Sequence, residues 1–241
     1  MCTVTIIPKG KNDFILTSNR DEAPERQSLS PEYYDIEGNT LLFPKDILSG
    51  GTWIGVSEKN RLICVLNGGF IKHKRKEVYR KSRGIVAKDF LLADKVVKIA
   101  KSYNLDDIEP FTMIIVDWNP NLKLFELVWD GQQTHFKELV LEPKIWSSTT
   151  LYTDEMIEER RQWFKDYKKD NKLDANGLLQ FHKSAGNGNI DYGVVMDRGY
   201  VKTTSISQVI KEQNVIHFHY QNLQNGKVTD TVFNLHQTVN E

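Results

Sequence analysis

Two β-like runs open the chain, residues 2–8 and 13–18, and only Pro8-Lys9-Gly10-Lys11-Asn12-Asp13 separates them. That linker has the composition of a hairpin loop, so the two runs are read as neighbouring antiparallel strands. A hairpin of this length brings Asn19-Arg20-Asp21-Glu22 back beside the start of the chain. Strand alternation then puts Asn19 and Asp21 on one face and Arg20 and Glu22 on the other. Ala23-Pro24 marks the strand's end.

The second residue gives this geometry chemical interest. Cys2 follows the initiator methionine, and its small side chain lets an aminopeptidase remove Met1. A thiol and a free α-amine would then share one carbon atom. The amine's reference pKa is about 7.7–8.0 and the thiol's about 8.5. One residue can therefore supply both a nucleophile and the base that activates it. The other cysteine, Cys64, lies in the apolar run Leu62-Ile63-Cys64-Val65-Leu66 and is read as a small core hydrophobe. Two cysteines so far apart are neither a zinc-ligand spacing nor a disulfide framework.

Further along, Thr52–Val56 and Arg61–Leu66 form a second hairpin that ends at Asn67-Gly68-Gly69. A polar amide at a strand end, followed by glycines, offers accessible backbone N–H groups for a developing oxyanion. Such a sequence is equally the commonest hairpin-turn signal. Weak strands are expected near 33–36 and 40–43. Ser82 can cap a helix over Ile85–Ala93, and a second helix is expected over roughly 94–103.

Strands follow at Phe111–Asp117, Lys123–Trp129 and Thr134–Leu139. An amphipathic helix over about Asp154–Lys169 buries a face that includes Ile157, Arg160 and Phe164. A shorter helix near 174–184 leads into Gly186-Asn187-Gly188-Asn189, expected to be a flexible loop. Strands at 200–209, 214–221 and 227–234 close the chain. Strands and helices in separate runs favour a layered α+β fold over a doubly wound one. No linker or repeat divides the 241 residues, so one domain over 1–241 is expected.

Lys plus Arg and Asp plus Glu balance at 32 each, so no global field favours nucleic acid. The basic run over 72–83 is read as a solvated loop before a helix. No apolar run is long enough to span a bilayer, and no signal peptide is evident, so a cytoplasmic protein is expected. His217 and His219 share a strand face without a third ligand at a telling spacing, so no metal or cofactor is expected.

Met1-Cys2-Thr3, Asn19-Arg20-Asp21-Glu22, Gly51-Thr52-Trp53-Ile54-Gly55, Leu66-Asn67-Gly68 and Ser82-Arg83-Gly84 together resemble the NRDE family. It is also called the transport and Golgi organisation protein 2 family. The family looks like a branch of the N-terminal nucleophile hydrolases. The resemblance implies a four-layer αββα sandwich, two stacked antiparallel sheets with helices outside.

Relatives such as bile-salt hydrolases and penicillin V acylases cleave amides through an N-terminal cysteine. By resemblance Cys2 is the nucleophile, Asp21 holds the free amine, Arg20 stands near the thiolate and Asn67 serves the oxyanion. In those relatives the arginine precedes the aspartate by three positions; here the two are adjacent. Asn19, Trp53, Gly68 and Ser148 are the implied substrate-contacting residues. Ser147-Ser148 stands where relatives have an oxyanion asparagine, and a hydroxyl donates only one hydrogen bond. The implied partner is a small acylated molecule, cleaved or transferred. The alternative is a non-catalytic carrier of haem or an acyl ligand on the same fold, since family members are linked to lipid metabolism and haem trafficking.

Overall fold

In the computed structural model, residues 3–235 are described; Met1, Cys2 and residues 236–241 lie outside them. Among the described residues thirteen strands form two antiparallel sheets. The six-stranded sheet contains β1 (Thr3–Lys9), β2 (Asp13–Glu22), β10 (Lys144–Ser147), β11 (Lys202–Glu212), β12 (Val215–Asn222) and β13 (Val228–Asn234). Its strand order is β10-β1-β2-β11-β12-β13. The opening hairpin pairs Thr3 with Asn19 and Lys9 with Asp13.

The seven-stranded sheet is a meander in chain order. It runs through β3 (Glu32–Ile36), β4 (Asn39–Phe43), β5 (Ile54–Ser57), β6 (Arg61–Asn67), β7 (Phe111–Asp117), β8 (Lys123–Trp129) and β9 (Thr134–Leu139). One core lies between the sheets. Val4, Ile6, Phe14 and Leu16 from the first meet Ile54, Leu62, Cys64, Leu66 and Ile114 from the second.

The outer faces are covered by helices. Ile63, Val65, Met113 and Ile115 turn away from the inter-sheet core and pack under α1 (Arg83–Leu92) and α2 (Val96–Ser102). Ile7 and Ile15 pack under α3 (Asp154–Asp170) and α4 (Ala175–Ser184), against Phe164, Leu178 and Phe181. Burial on both faces explains why Leu62–Leu66 is an unbroken apolar run rather than an alternating one. Side-chain caps start three helices. Ser82 accepts from Ile85 N–H, Thr153 from Met156 N–H and Asp174 from Gly177 N–H. Each cap satisfies a backbone donor that the first turn leaves unpaired.

Two expectations change. The second hairpin's first strand starts at Ile54, not Thr52, because the Thr52 hydroxyl bonds across to the Pro44 and Ile54 carbonyls and bends the chain. The loop at 186–189 is a hydrogen-bonded turn, with Asn187 N–H donating to Ser184 and Asn189 N–H to Gly186, and the residues after it are packed down. Val194 is fully buried against α4, its N–H donates to Ala185, and Gly193 N–H donates to Asn189.

Candidate functional site

The end of β2 divides its side chains between two environments. On the helix-covered face, Asn19 donates to the carbonyls of His182, at 3.0 Å, and Val194, at 2.5 Å. Beside it, the Asp21 carboxylate accepts the hydroxyls of Thr203, at 2.7 Å, and Tyr152. Arg160 from α3 completes this face. Its guanidinium stacks 3.6 Å from the Tyr152 ring centroid and donates to Thr3 Oγ1 and to the Tyr192 and Gly193 carbonyls.

His182 sits in the same layer, hydrogen-bonded through Nε2 to Thr5 Oγ1 at 2.8 Å and through Nδ1 to Asn19. Burial, with the nearby Arg160 charge, pushes its pKa down to about 3. It therefore stays a neutral imidazole at ordinary pH. Apart from the half-buried Tyr192, all of these residues are buried.

The opposite face opens on a polar cleft of about 240 Å³ between the sheets. Arg20 forms its buried inner wall, donating to Asp46 at 2.8 Å and to the Arg26 carbonyl and Thr204 hydroxyl at 3.1 Å. The Trp53 ring lies 4.6 Å from the guanidinium carbon of Arg20. Burial lowers the Arg20 pKa against the raising influence of Glu22 and Asp46.

Asp46 is a hub. It accepts Arg20 and Arg26 at 2.8 Å and the Ser49 N–H and hydroxyl at 2.9 Å. Burial acts to raise its pKa, but the hydrogen bonds from Ser49 and Arg26 win and hold it below the ordinary value. Across the cleft Glu109 gathers His73 at 3.3 Å, Arg75 at 3.7 Å and Arg83 at 3.2 Å.

Asn67 lines this cleft at the end of β6. Among the described residues nothing hydrogen-bonds its carboxamide, whereas its backbone carbonyl accepts the Ser148 hydroxyl at 2.7 Å. Ser148 thus spends its single donor on tying the two sheets together. Gly68 departs from expectation. Its N–H is not accessible but donates to the Pro110 carbonyl at 3.1 Å. Its φ of +88° and a hypothetical Cβ only 2.3 Å from Thr149 Oγ1 demand glycine.

Beyond the Asn67–Ser148 tie lies a larger cavity of about 780 Å³, lined by Leu66, Leu139, Ile145, Trp146 and Ile157 among others. Cys64 is fully buried, and burial pushes its thiol pKa up to about 12.

Cys2 lies outside the described residues; Thr3, which follows it, pairs with both Asn19 and Ser147. Of the other expected residues, Arg20, Trp53 and Asn67 line the polar cleft, while Asn19 and Asp21 turn to the helix face. Asp46, Tyr152, Arg160, His182 and Thr203 were not singled out as site residues. Arg160 alone left a signal, an arginine on the same helical stripe as Ile157 and Phe164. Among the described residues no group of three His, Cys, Asp or Glu side chains could hold a metal ion, and no helix is long and apolar enough to cross a membrane.

Comparison with known proteins agrees with this architecture. Residues 1–187 match the family described as Transport and Golgi organisation 2. No curated protein matches the chain. Among solved structures, a variant of conjugated bile acid hydrolase from Clostridium perfringens superposes with a TM-score of 0.60 at 11% identity, covering 99% of this chain and 100% of that one. A Caenorhabditis elegans N-acylethanolamine-hydrolyzing acid amidase ortholog gives 0.56 at 9% identity, over 87% of this chain and 92% of that one. The fold is therefore the αββα sandwich of the N-terminal nucleophile hydrolases.

Proposed function

The chain belongs to the Transport and Golgi organisation 2 family, and on that premise we propose that it is an N-terminal cysteine hydrolase or acyltransferase acting on an amide or thioester of a small acylated substrate. After Met1 is removed, the Cys2 sulfur attacks the substrate carbonyl while its own α-amine takes the thiol proton. Asp21 orients that amine. The Asn67 carboxamide donates to the tetrahedral oxyanion, and Arg20 lends positive charge from the inner wall of the cleft. The amine then returns the proton to the leaving group, and water or an acceptor releases the acyl group. We propose likewise that residues 1–241 act as one domain, since the two sheets share one core.

The observation that carries this reading is the placement of Asp21 relative to Thr3. The β1–β2 ladder reaches Thr3 opposite Asn19, so Arg20 and Asp21 are the next residues along β2. Asp21 is buried there and fixed by two hydroxyls, as a carboxylate with an orienting role requires. The Asn67 carboxamide, without a partner among the described residues of the cleft, is the second support.

Labelling with an electrophilic acyl probe tests the reading. Wild-type protein should acylate stoichiometrically at its N-terminus, and Cys2→Ala should not. Intact mass on protein from its natural host must show loss of Met1. Retention of Met1, or equal labelling of both proteins, sinks the mechanism.

A further inference from the structure

Between residues 72 and 83 seven basic side chains stand against one acid, Glu77, in a chain of zero net charge. These residues form most of the connection from β6 to α1. Several of the charges are neutralised locally. Lys76 pairs with Asp107 at 2.9 Å, Lys81 with Asp89 at 2.7 Å and Arg83 with Glu109 at 3.2 Å. Lys72 and Lys74 are exposed and make no ion pair among the described residues.

Large aliphatic side chains project into solvent beside them. Ile71 and Val78 are each 78% exposed, and Phe70 is exposed too. The β4–β5 connection repeats the pattern, with Leu48 82% exposed and Ile47 also exposed, two residues beyond Lys45. The two connections border one opening. Asp46 and Ser49 of one, and Arg75, Glu77 and Tyr79 of the other, line the same polar cleft. The Lys88 ammonium holds the Gly50 carbonyl at 3.1 Å, fixing the β4–β5 connection to α1.

A single exposed leucine needs no explanation, but a set of them interleaved with uncompensated lysines around one mouth does. Nucleic acid would use the cations but gains nothing from isoleucine, valine or leucine. It favours stacking aromatics, and here Phe70 packs edge-on against His135 while the Lys76 ammonium lies over the Tyr79 ring. A second copy of this chain would bring like charges together. A lipid surface satisfies both parts, taking aliphatic side chains among its acyl chains and lysines against its phosphates.

We propose that these two connections dock the protein on an anionic membrane surface, with the mouth of the polar cleft turned toward the lipid. This interaction goes beyond the hydrolase reading and does not depend on it.

Flotation of the purified full-length protein with phosphatidylcholine vesicles, with and without phosphatidylglycerol, tests the proposal. Phosphatidylglycerol should raise the bound fraction at least about five-fold at low salt, and added salt should reverse most of that gain. Lys72→Glu with Lys74→Glu should lower binding to the level seen on neutral vesicles. Ile71→Ser with Leu48→Ser should weaken it at unchanged melting temperature. The same recovery on neutral and anionic vesicles, or loop variants that float like the wild type, overturns the proposal. So does a wild-type dimer that Ile71→Ser dissociates and that never floats, which would make this face an interface between copies.

Discussion

The guanidinium carbon of Arg160 lies 3.6 Å from the centroid of the Tyr152 ring, whose hydroxyl in turn donates to Asp21. Among the described residues no carboxylate touches Arg160 directly, although its side chain is fully buried. The tyrosine links it to the Asp21 carboxylate. A buried cation held in this way is costly to disturb, because the groups it serves are buried as well.

Replacing Arg160 with methionine should therefore destabilise the fold strongly. The Tyr192 and Gly193 carbonyls and Thr3 Oγ1 would each lose a charged donor. A loss of about 3 kcal/mol or more is expected from urea denaturation. Tyr152→Phe keeps the ring beside Arg160 and removes the hydroxyl's bond to Asp21, so its cost should be about 1–2 kcal/mol.

Acid should weaken the protein in a window that His182 sets. Its folded pKa is depressed to about 3, mainly by burial, while an unfolded chain's imidazole titrates near about 6.5. Between those values the unfolded state holds the extra proton. Stability then falls as pH drops, on the order of 1.4 kcal/mol per unit at the steepest. Asp46, also depressed, adds a loss of the same sign at the lower end. Urea midpoints across this range should show a flatter slope for His182→Gln than for the wild type, whatever its absolute stability.

Asn67→Ala should separate chemistry from stability. Its carboxamide bonds to none of the described residues, so unfolding free energy should change by no more than about 0.5 kcal/mol. Acylation by an activated ester should slow about 10²–10³-fold if the amide serves the oxyanion. Unchanged acylation kinetics would remove Asn67 from the mechanism.

At Gly68 an alanine must meet both a positive φ and the Thr149 hydroxyl. A cost of at least about 2 kcal/mol is expected. Gly10→Ala is the control. Its φ of +57° is also positive, but nothing lies within 4 Å of the added carbon, so the cost should be only about 1 kcal/mol. Thermal melts of the two variants compare them directly.

Cys64 should be chemically silent. With its thiol pushed up to about 12 and no solvent contact, native Cys2→Ala protein should not react with a thiol reagent at neutral pH. Reaction should follow the unfolding curve in urea.

Local patterns carried much of the fold. The opening hairpin was legible because its loop is short and its period is two, and the two faces of Asn19 to Glu22 emerge from that period. Ser82 announced its helix by its own side chain. Other parts depend on contacts that no local pattern encodes. Ile145–Ser147 gave no sign that it would flank β1. Asp46 reaches Arg20 from an irregular turn, and Thr203 reaches Asp21 from a strand far along the chain. The Gly186–Asn189 segment looked loose from its composition. Val194, just beyond it, anchors it under α4. The Gly68-Gly69 turn showed the need for glycine but not that a proline carbonyl would take up the expected donor.

The strand order has a consequence for how the chain is made. The leading strand cannot gain its outer neighbour until Ser147 exists, and Thr203 joins Asp21 across 182 residues. Such distant pairings close late, after most of the polypeptide has left the ribosome. Until then the leading strand has its hairpin partner β2 but no outer neighbour, so one of its edges stays open until the sandwich shuts.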